Sequence, residues 1–326
     1  MTRALRALFR RTGGPEVIEW EEADVPPPGP GEATVRHEAV GVNFIDTYHR
    51  TGLYPVPLPS GIGSEAAGVV EAVGEGVGHV RVGDRVAYGM GPLGAYATRR
   101  TMPATPLCPL PEGVGAEEAA AVMLKGLTVQ YLFRRTTPIA RGDAVLFHAA
   151  AGGVGLIACQ WARSEGIRLI ATAGSDAKCA LALENGAAEA INSRERDVVA
   201  EVRRLTGGRG VPVVMDGVGR DTFEASLDCL APLGMMISFG NASGPVPPVD
   251  VLGLMRRGSL KLTRPTLATH AAEPGGLAAM AGELFGKMRR GEVRARVERR
   301  LPLREAAEAH RALQARETVG STVLIP

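Results

Sequence analysis

Short alternating runs of hydrophobic and polar residues dominate the first third of the chain. Four runs have the two-residue period of β-strands and are separated by turn signals such as Gly74-Glu75-Gly76. They cover residues 33–42, 68–73, 84–88 and 94–99. Because many short strands joined by glycine-rich turns are typical of closed β-structures, this part is predicted to form a β-rich, barrel-like unit.

A different pattern begins near residue 125, where compact apolar runs alternate with helical stretches. Six runs are predicted strands: residues 144–147, 168–172, 189–192, 212–216, 235–239 and 260–263. Alternating strands and helices predict the α/β class, with a doubly wound parallel six-stranded sheet. The remainder is predicted to be helical at 276–290 and 303–315, and to end in a strand at 321–325 that returns to the first domain.

The chain length and these patterns together predict two domains. At 326 residues the chain exceeds the size at which a single hydrophobic core stops growing. We expect residues 1–124 and 265–326 to form a discontinuous catalytic domain, and residues 125–264 to form a dinucleotide-binding domain.

Composition argues against several partners and locations. The 37 basic and 35 acidic residues leave a net charge of +2 without a basic block, so we expect no nucleic-acid partner. The four cysteines are widely spaced, which matches neither a zinc knuckle nor a disulfide framework. With no signal-peptide pattern and no membrane-length apolar helix, we expect a cytoplasmic protein.

A glycine-rich turn between a strand and a helix carries the clearest chemical signal. The run HAAAGGVGLIACQWA follows the strand at 144–147 and opens directly into a helix. Gly152 and Gly155 occupy the second and third glycine positions of the G-x-G-x-x-G fingerprint, and Ala150 occupies the first. Such a turn lets a pyrophosphate approach the first N–H groups of the helix, so the sequence predicts a dinucleotide site.

The tip of the next predicted strand indicates which dinucleotide is bound. An NAD site places an Asp or Glu there for the ribose 2′-hydroxyl, whereas this chain has Gly174 and Ser175. Lys178, in the first turn of the following helix, adds a cation that favours a 2′-phosphate. Asp176 is interpreted as a helix-start carboxylate. We therefore expect NADPH rather than NADH.

Six segments along the chain carry a resemblance to a known family. They are GVNFIDTYHRTGLYP, GSEAAGVVEAVGEGV, LKGLTV, HAAAGGVGLIACQWA, DGVGRDTFEASLDCL and SFGNASG. Together they strongly resemble the zinc-lacking quinone oxidoreductases, relatives of zeta-crystallin in the medium-chain dehydrogenase/reductase superfamily. The resemblance implies a GroES-like catalytic domain, a Rossmann domain, NADPH in an interdomain cleft, reduction of a small-molecule quinone, and a homodimer joined through the Rossmann domains.

The resemblance also locates the positions at which zinc-dependent members of the superfamily bind their catalytic metal. These positions are Asn43, Ser64 and Lys125, and none is a thiolate or imidazole ligand. The four closely spaced cysteines of a structural zinc lobe are also missing from the sequence. We therefore expect no metal, and we interpret His49, the one histidine near the expected site, as a surface or packing residue.

Hydride transfer to a quinone does not require a metal, because the product charge is delocalised over the ring and hydrogen-bond donors can stabilise it. We predict that Asn43 and Tyr48 donate hydrogen bonds to the acceptor oxygen or to the nicotinamide ribose, with Asp46 orienting them. The family match further implies that Lys125 and Thr128, placed at the start of a junction helix, contact the cofactor.

Other cofactor contacts are predicted at the carboxyl ends of strands, where open α/β sheets bind ligands. Phe239, Gly240 and Asn241 would hold the nicotinamide carboxamide through backbone groups. Ser193 and Gly217 replace a tyrosine and a serine of close relatives, so cofactor affinity could differ. The predicted cofactor-binding residues are Asn43, Lys125, Thr128, Gly152, Gly153, Val154, Gly155, Gly174, Ser175, Lys178, Ser193, Gly217, Phe239, Gly240 and Asn241.

Two other functions are compatible with the sequence. Reduction of an activated C=C bond in an enone or 2-alkenal also produces a delocalised oxyanion, and the predicted fold does not separate it from quinone reduction. A crystallin-like or RNA-binding role without catalysis is known within the same family, but the mild net charge counts against it.

Overall fold

A computed structural model of the chain describes residues 2–326. These residues divide into two compact units. The first contains the residues up to Leu127 together with Leu277–Pro326, and the second contains Thr128–Gly276. In this division residues 265–276 belong to the second unit, and the sequence-based domain limits stay a prediction.

The N-terminal part of the first unit is built from short strands. They are β1 (Thr2–Phe9), β2 (Glu19–Val25), β3 (Glu32–Gly41), β4 (Ser60–Gly61), β5 (Glu65–Val73), β6 (Arg85–Tyr88), β7 (Arg99–Pro103) and β8 (Cys108–Pro109). The helices are α1 (Phe44–Thr51) and α2 (Ala116–Arg134), and α2 continues into the second unit. The predicted strands at 33–42, 68–73 and 84–88 are confirmed as β3, β5 and β6.

The predicted strand at residues 94–99 is wrong. Gly94 has a φ of 124°, and the N–H groups of Gly94 and Ala95 both bond to the Gly63 carbonyl oxygen, at 3.0 and 3.1 Å. The neighbouring residues Ala95, Tyr96 and Ala97 are all buried, whereas a strand with one solvated face buries alternate residues. The segment is therefore a bend at Gly94 and Ala95, followed by a single antiparallel bridge between Ala97 and Arg6 of β1 before β7 begins.

The second unit alternates strands and helices along the chain. Its strands are β9 (Ala144–Phe147), β10 (Arg168–Ala173), β11 (Glu189–Asn192), β12 (Val211–Asp216), β13 (Leu230–Ser238) and β14 (Lys261–Thr263). Its helices are α3 (Gly153–Glu165), α4 (Asp176–Glu184), α5 (Val198–Leu205), α6 (Phe223–Asp228), α7 (Val251–Arg256) and α8 (Leu267–Ala271). All six predicted strands are confirmed, with small differences at their ends.

These six strands pair in parallel in the order β11-β10-β9-β12-β13-β14. This is the doubly wound order, which confirms the predicted Rossmann-type sheet. The order reverses between β9 and β12, and ligands of such sheets bind at the carboxyl ends of the strands beside that reversal. The glycine-rich turn after β9 lies at this position.

The C-terminal segment returns to the first unit, as predicted. It contains α9 (Gly276–Arg289), β15 (Val297–Pro302), α10 (Ala306–Gln314) and β16 (Ser321–Ile325). Strand β16 pairs antiparallel with β3 and parallel with β15. The described residues of this unit form a seven-stranded sheet, ordered β15-β16-β3-β5-β6-β8 with β7 also on β3, and a three-stranded sheet, β2-β1-β4.

Each unit has a hydrophobic core of its own. In the first unit Phe9, Val35 and Tyr88 belong to the buried cluster, and in the second Leu146 and Val214 do. Over residues 2–326, no helix has both the length and the apolar character needed to cross a membrane.

Candidate functional site

Helix α1 begins directly after Asn43, and a carboxyl group inside the helix fixes that start. Asp46 Oδ2 accepts a hydrogen bond from the Asn43 backbone N–H at 2.9 Å. Asn43 has the extended backbone conformation of an N-cap residue, with φ −136° and ψ 153°. Asp46 therefore acts on Asn43 through the backbone of Asn43.

The carboxyl group of Asp46 is fully buried and is bonded on both oxygens. Ser64 Oγ donates to Oδ1 at 3.0 Å, and the Tyr96 hydroxyl lies 3.2 Å from Oδ2. Burial raises the pKa of Asp46 to about 7, although the bonds from Asn43, Ser64 and Tyr96 oppose this shift. Asp46 can therefore gain or lose a proton near neutral pH.

The Tyr96 hydroxyl connects Asp46 to α10. It lies 2.9 Å from His310 Nε2, and the two rings meet edge to face. Burial, with a smaller effect from the Arg50 charge, lowers the pKa of His310 to about 3, so this imidazole is neutral. Burial also raises the pKa of Tyr96 well above its usual value. Tyr96 and His310 therefore both carry no charge at neutral pH.

Glu65 brings Asn43 and Lys125 together within the first unit. Its carboxylate Oε2 accepts from Asn43 Nδ2 at 2.8 Å and from Lys125 Nζ at 2.9 Å, and Oε1 accepts from the Leu124 backbone N–H at 2.7 Å. The Lys125 and Glu65 side chains are 6% and 0% exposed. The Glu65 carboxylate therefore links two of the positions, Asn43 and Lys125, that the family resemblance assigns to the catalytic metal of zinc-dependent members.

Tyr48 lies one turn further along α1, and its ring is part of an aromatic cluster. The ring centroids of Phe44 and Tyr54 are 6.2 and 5.3 Å away, and the Tyr48 carbonyl accepts from the Tyr54 N–H at 3.1 Å. His49 meets Tyr54 edge to face, and burial lowers the pKa of this imidazole. The packing of His49 agrees with its interpretation as a packing residue.

Lys125 and Thr128 lie in the middle of α2, so their predicted position at the start of a helix is wrong. The helix begins at Ala116, because the run AEEAAAVM has high helix propensity and places Glu117 and Glu118 beside the positive dipole end. Both Lys125 and Thr128 are buried. Their positions are therefore set by the interior of a helix and not by its flexible first turn.

The glycine-rich turn in the second unit joins β9 to α3. Gly152 is the N-cap of α3 and has an extended conformation, so the first turn of α3, with Gly153, Val154 and Gly155, begins without a side-chain cap. A Cβ at Gly155 would collide with the backbone of Ala150, whereas a Cβ at Gly152 would meet only a carbonyl oxygen at 3.4 Å. Gly155 thus allows close packing, and Gly152 leaves open space in front of the helix.

A buried network beneath this turn holds His148 in one tautomer. Ser226 Oγ donates to Asp216 Oδ2 at 2.8 Å, so its oxygen accepts from His148 Nε2–H at 3.0 Å. His148 Nδ1 then accepts from the Thr172 hydroxyl at 2.9 Å. Burial lowers the pKa of His148, which agrees with a neutral ring. The network connects the ends of β9, β10 and β12 around the predicted pyrophosphate position.

Two cations lie beside the tip of β10. A Cβ at Gly174 would be 3.4 Å from Arg194 Nε, and the Arg194 charge contributes, after burial, to a lowered pKa of Lys178. Ser175 Oγ accepts from the Lys178 backbone N–H at 3.3 Å and so caps α4. Asp176 Oδ1 accepts from an Asn192 amide, as expected for a carboxylate held at the helix start. This cluster offers donors and positive charge to a phosphate.

Residues after β13 pack tightly against the loop after β12. The Phe239 ring would be 2.9 Å from a Cβ at Gly217, so a serine at that position requires the ring to move. The Gly240 carbonyl accepts from Arg264 Nη1 at 3.0 Å, and Asn241 follows at the carboxyl edge of the sheet. At the other departure from the family pattern, Ser193 Oγ donates to the Ala173 carbonyl at 3.2 Å.

Several residues of these clusters were not predicted from the sequence, among them Glu65, Tyr96, His148, Arg194 and His310. Glu65 is a charged residue in the apolar run SEAAGVV, and that isolated charge is the one signal that could have indicated a buried partner. Arg194 lies directly after Ser193, but spacing alone does not show that its side chain reaches Gly174.

The donor set of the second unit fits a phosphorylated dinucleotide. An uncapped helix start suits a pyrophosphate, and the Lys178 and Arg194 pair suits a 2′-phosphate. Within the described part of the chain, no group of three or more His, Cys, Asp or Glu side chains is arranged to hold a metal ion.

Comparisons with known proteins cover both units. Residues 29–112 match the family model "Alcohol dehydrogenase GroES-like domain", and residues 153–281 match "Zinc-binding dehydrogenase". The chain is 54% identical over 324 residues to a quinone oxidoreductase of Pseudomonas aeruginosa, which covers 99% of this chain and 100% of the relative. It is 43% identical over 330 residues to a 2-haloacrylate reductase of a Burkholderia species, with 99% of both chains covered.

A solved structure also matches the chain over nearly its whole length. The Escherichia coli quinone oxidoreductase complexed with NADPH superposes with a TM-score of 0.97 at 48% identity. The match covers 99% of this chain and 100% of that structure. The fold described above is therefore shared along the whole chain.

Proposed function

The chain belongs to the quinone oxidoreductase family, and on that premise we propose that it reduces quinones with NADPH, without a metal. The observation that carries the proposal is the pair of cations, Lys178 and Arg194, beside the tip of β10 in a chain with this full-length similarity. When bound, NADPH supplies the hydride that reduces the acceptor.

In the second unit, we assign the nucleotide to three groups of residues. The N–H groups from Gly153 onward bind the pyrophosphate, and Gly152 lets it come close to the backbone. Lys178 and Arg194 bind the 2′-phosphate with charge-assisted hydrogen bonds. Gly174 keeps the space beside them open.

In the first unit, the donors are assigned to the nicotinamide end of the cofactor and to the acceptor. Asn43 and Tyr48 donate hydrogen bonds there, and Asp46 holds the Asn43 backbone. Lys125 of this unit, and Thr128, which follows on α2 as the first residue of the second unit, contact the cofactor. An ammonium at Lys125 repels a divalent cation, which supports a reaction that proceeds without zinc.

We also propose that residues 1–124 and 265–326 act as the catalytic domain and residues 125–264 as the NADPH domain. The protein is proposed to be a cytoplasmic homodimer joined through the Rossmann sheet, with no nucleic-acid partner. The near-neutral charge supports the absence of a nucleic-acid partner, and exposed apolar side chains of α7 and β14 support the dimer.

The proposal is tested by steady-state kinetics with 1,4-naphthoquinone and 9,10-phenanthrenequinone. We expect NADPH to be preferred over NADH by about tenfold or more in kcat/KM, as charge-assisted bonds to the phosphate predict. Arg194→Ala should lower kcat/KM for NADPH by about tenfold and leave that for NADH within about twofold. Arg209→Ala, which removes an exposed arginine of the same unit, is the matched control.

Three outcomes would contradict parts of the proposal. Equal use of NADH and NADPH would remove the 2′-phosphate assignment. Loss of activity in a chelator, restored by zinc, would remove the metal-free reaction. A kcat/KM for a 2-alkenal far above that for both quinones would favour reduction of activated C=C bonds, the second candidate, which the similarity to a 2-haloacrylate reductase supports.

A further inference from the structure

We propose that Glu65 is a positioning residue, which holds the Asn43 amide and the Lys125 ammonium in the arrangement that binds the nicotinamide end of NADPH. This inference rests on the function proposed above. Glu65 accepts hydrogen bonds from both side chains and from the backbone N–H of Leu124. No predicted site residue other than Asn43 and Lys125 is part of this contact set.

The contact is built into a place where α2 comes very close to its neighbours. A Cβ at Gly41, the last residue of β3, would collide with the Ala120 carbonyl of α2 and with the Glu65 carboxylate. A Cβ at Gly89 would be 2.6 Å from the backbone of Leu124. Two glycines thus let α2 pack closely against the strands of the first unit. Glu65 bonds to two consecutive residues of α2, Leu124 and Lys125, at this close contact.

The chemistry of the site requires a carboxylate. Three N–H donors converge on Glu65, and an ionised carboxylate has acceptors only, whereas a glutamine would turn its own N–H groups toward at least one of these donors. Lys125 has three ammonium donors and Glu65 uses one, and the Asn43 amide has a second N–H. Glu65 therefore aims these groups without consuming all of their donors.

Stability alone does not account for such a pair. Replacing a buried ion pair with apolar residues of similar volume is often neutral or stabilising, because removing two charges from water is costly. The Lys125 ammonium is nevertheless almost fully buried against Glu65, next to Asn43. If Glu65 fixes the direction of the Asn43 and Lys125 donors, this role explains why a charged residue is kept at this buried position despite the cost of removing it from water.

The test compares two ligands by calorimetry. NADPH reaches both the adenosine and nicotinamide ends of the site. In contrast, 2′,5′-ADP reaches only residues of the second unit, with its 5′-phosphate at the glycine-rich turn and its 2′-phosphate at Lys178 and Arg194. Glu65→Gln should weaken NADPH binding by about tenfold or more, as expected when a charged hydrogen-bond partner is lost. It should leave the Kd of 2′,5′-ADP within about twofold of the wild-type value.

Two further variants separate positioning from general damage. Lys125→Met removes one of the two side-chain groups that Glu65 holds, the charged one, so Glu65→Gln should have a smaller effect on NADPH binding in that background. Glu292→Gln breaks another Lys–Glu pair with a buried ammonium, that of Lys287, and should leave both affinities unchanged. If Glu65→Gln does not fold, Glu65→Asp can be used instead. It keeps the negative charge but moves the carboxylate one methylene away from its partners, and it should also weaken binding of NADPH but not of 2′,5′-ADP.

The inference is wrong if NADPH affinity stays within about twofold of wild type, or if both ligands weaken equally. It is also wrong if the losses from the Glu65 and Lys125 variants simply add. A wild-type protein that takes up no NADPH would instead contradict the proposed function, so the two failures are distinguishable.

Discussion

Asp46 combines a structural role with an unfavourable environment. Its carboxyl group bonds to the start of α1, but complete burial raises the pKa from 3.8 to about 7. The protonated form is therefore favoured more strongly in the folded protein than in the unfolded chain. Its contribution to stability is fully present below pH of about 4 and is lost as the pH rises through about 7.

We predict that Asp46→Asn removes this dependence. Relative to the variant, the wild-type protein should lose unfolding free energy as the pH rises from about 4 to about 7, because only the wild type must ionise a buried carboxyl group. Urea unfolding at several pH values measures the difference. Buried histidines such as His37, whose pKa is lowered to about 4, act in the opposite direction, but they are common to both proteins and cancel.

Asp197→Asn provides the comparison for this experiment. Asp197 caps α5 from an exposed position, with bonds to the N–H groups of Val199 and Ala200. Asp197→Asn shows the effect of removing a carboxylate from a helix start where that carboxylate is exposed to solvent. A constant difference between wild type and Asp46→Asn across the whole pH range would show that Asp46 does not titrate there.

In the first unit, the sequence predicted Asn43, Asp46 and Lys125 as site residues, but it did not predict which groups they bond to. Asn43 and Lys125 stand in recognisable motifs, and both were proposed as site residues. That Asp46 acts on the Asn43 backbone, and Glu65 on its side chain, depends on how β5 lies beside α1 and α2. Such long-range pairing is invisible in one sequence without the fold.

Gly152 and Gly155, at the start of helix α3, have different structural roles. Gly155 lies against the Ala150 backbone, whereas the space beside Gly152 is open toward the predicted ligand. The fingerprint pattern predicts both glycines, but it does not say which one serves packing and which one serves the ligand.

We predict that Gly155→Ala lowers both stability and NADPH affinity, whereas Gly152→Ala lowers affinity and leaves the melting temperature nearly unchanged. The added methyl at residue 155 must push α3 away from the turn, while the one at residue 152 only obstructs a ligand. Thermal unfolding and calorimetry measure the two effects. Gly282→Ala in α9, where a Cβ meets nothing within 4 Å, should be neutral or stabilising by up to about 1 kcal/mol.

One outcome would contradict the role assigned to Gly152. A large fall in melting temperature for Gly152→Ala would mean that the turn itself, and not ligand approach, requires a glycine there.

The strands of the second unit were predictable because they are short, apolar and buried. Strands β2 and β15 were not predicted, and their sequences show the reason: EWEEADV and VERRLP are rich in charged residues. In those strands backbone pairing with neighbours outweighs weak residue preference. Charged edge strands of this kind carry little signal in a hydrophobic pattern.

The second unit exposes a band of large apolar side chains at one end of its sheet. Val251, Leu252 and Met255 of α7 are 73%, 59% and 59% exposed, and Leu262 of the edge strand β14 is 36% exposed. The order of the sheet leaves one side of β14 unpaired within the described residues. An open edge with adjacent apolar side chains is suited to a second copy of the chain.

We predict that Leu262→Lys converts the proposed dimer into a monomer, because a buried lysine without a partner strongly destabilises an interface. Light scattering after size-exclusion chromatography measures the mass. Leu183→Lys, at an exposed leucine of α4, should leave the dimer intact. A monomeric wild-type protein, or a dimer unaffected by Leu262→Lys, would contradict the assigned interface.

The sheet of the first unit draws its strands from both ends of the chain. Strand β7 pairs with Glu32–Arg36 of β3, but the partner of Val40 and Gly41 on the same side is β16, which lies between β15 and β3. That end of β3 therefore lacks its neighbour until residues 321–325 have been synthesised. The Rossmann sheet, by contrast, is encoded by one continuous stretch. During translation the ribosome therefore releases every strand of the nucleotide-binding sheet while one end of β3 still has unpaired backbone groups, and unpaired strand edges favour aggregation until they are covered.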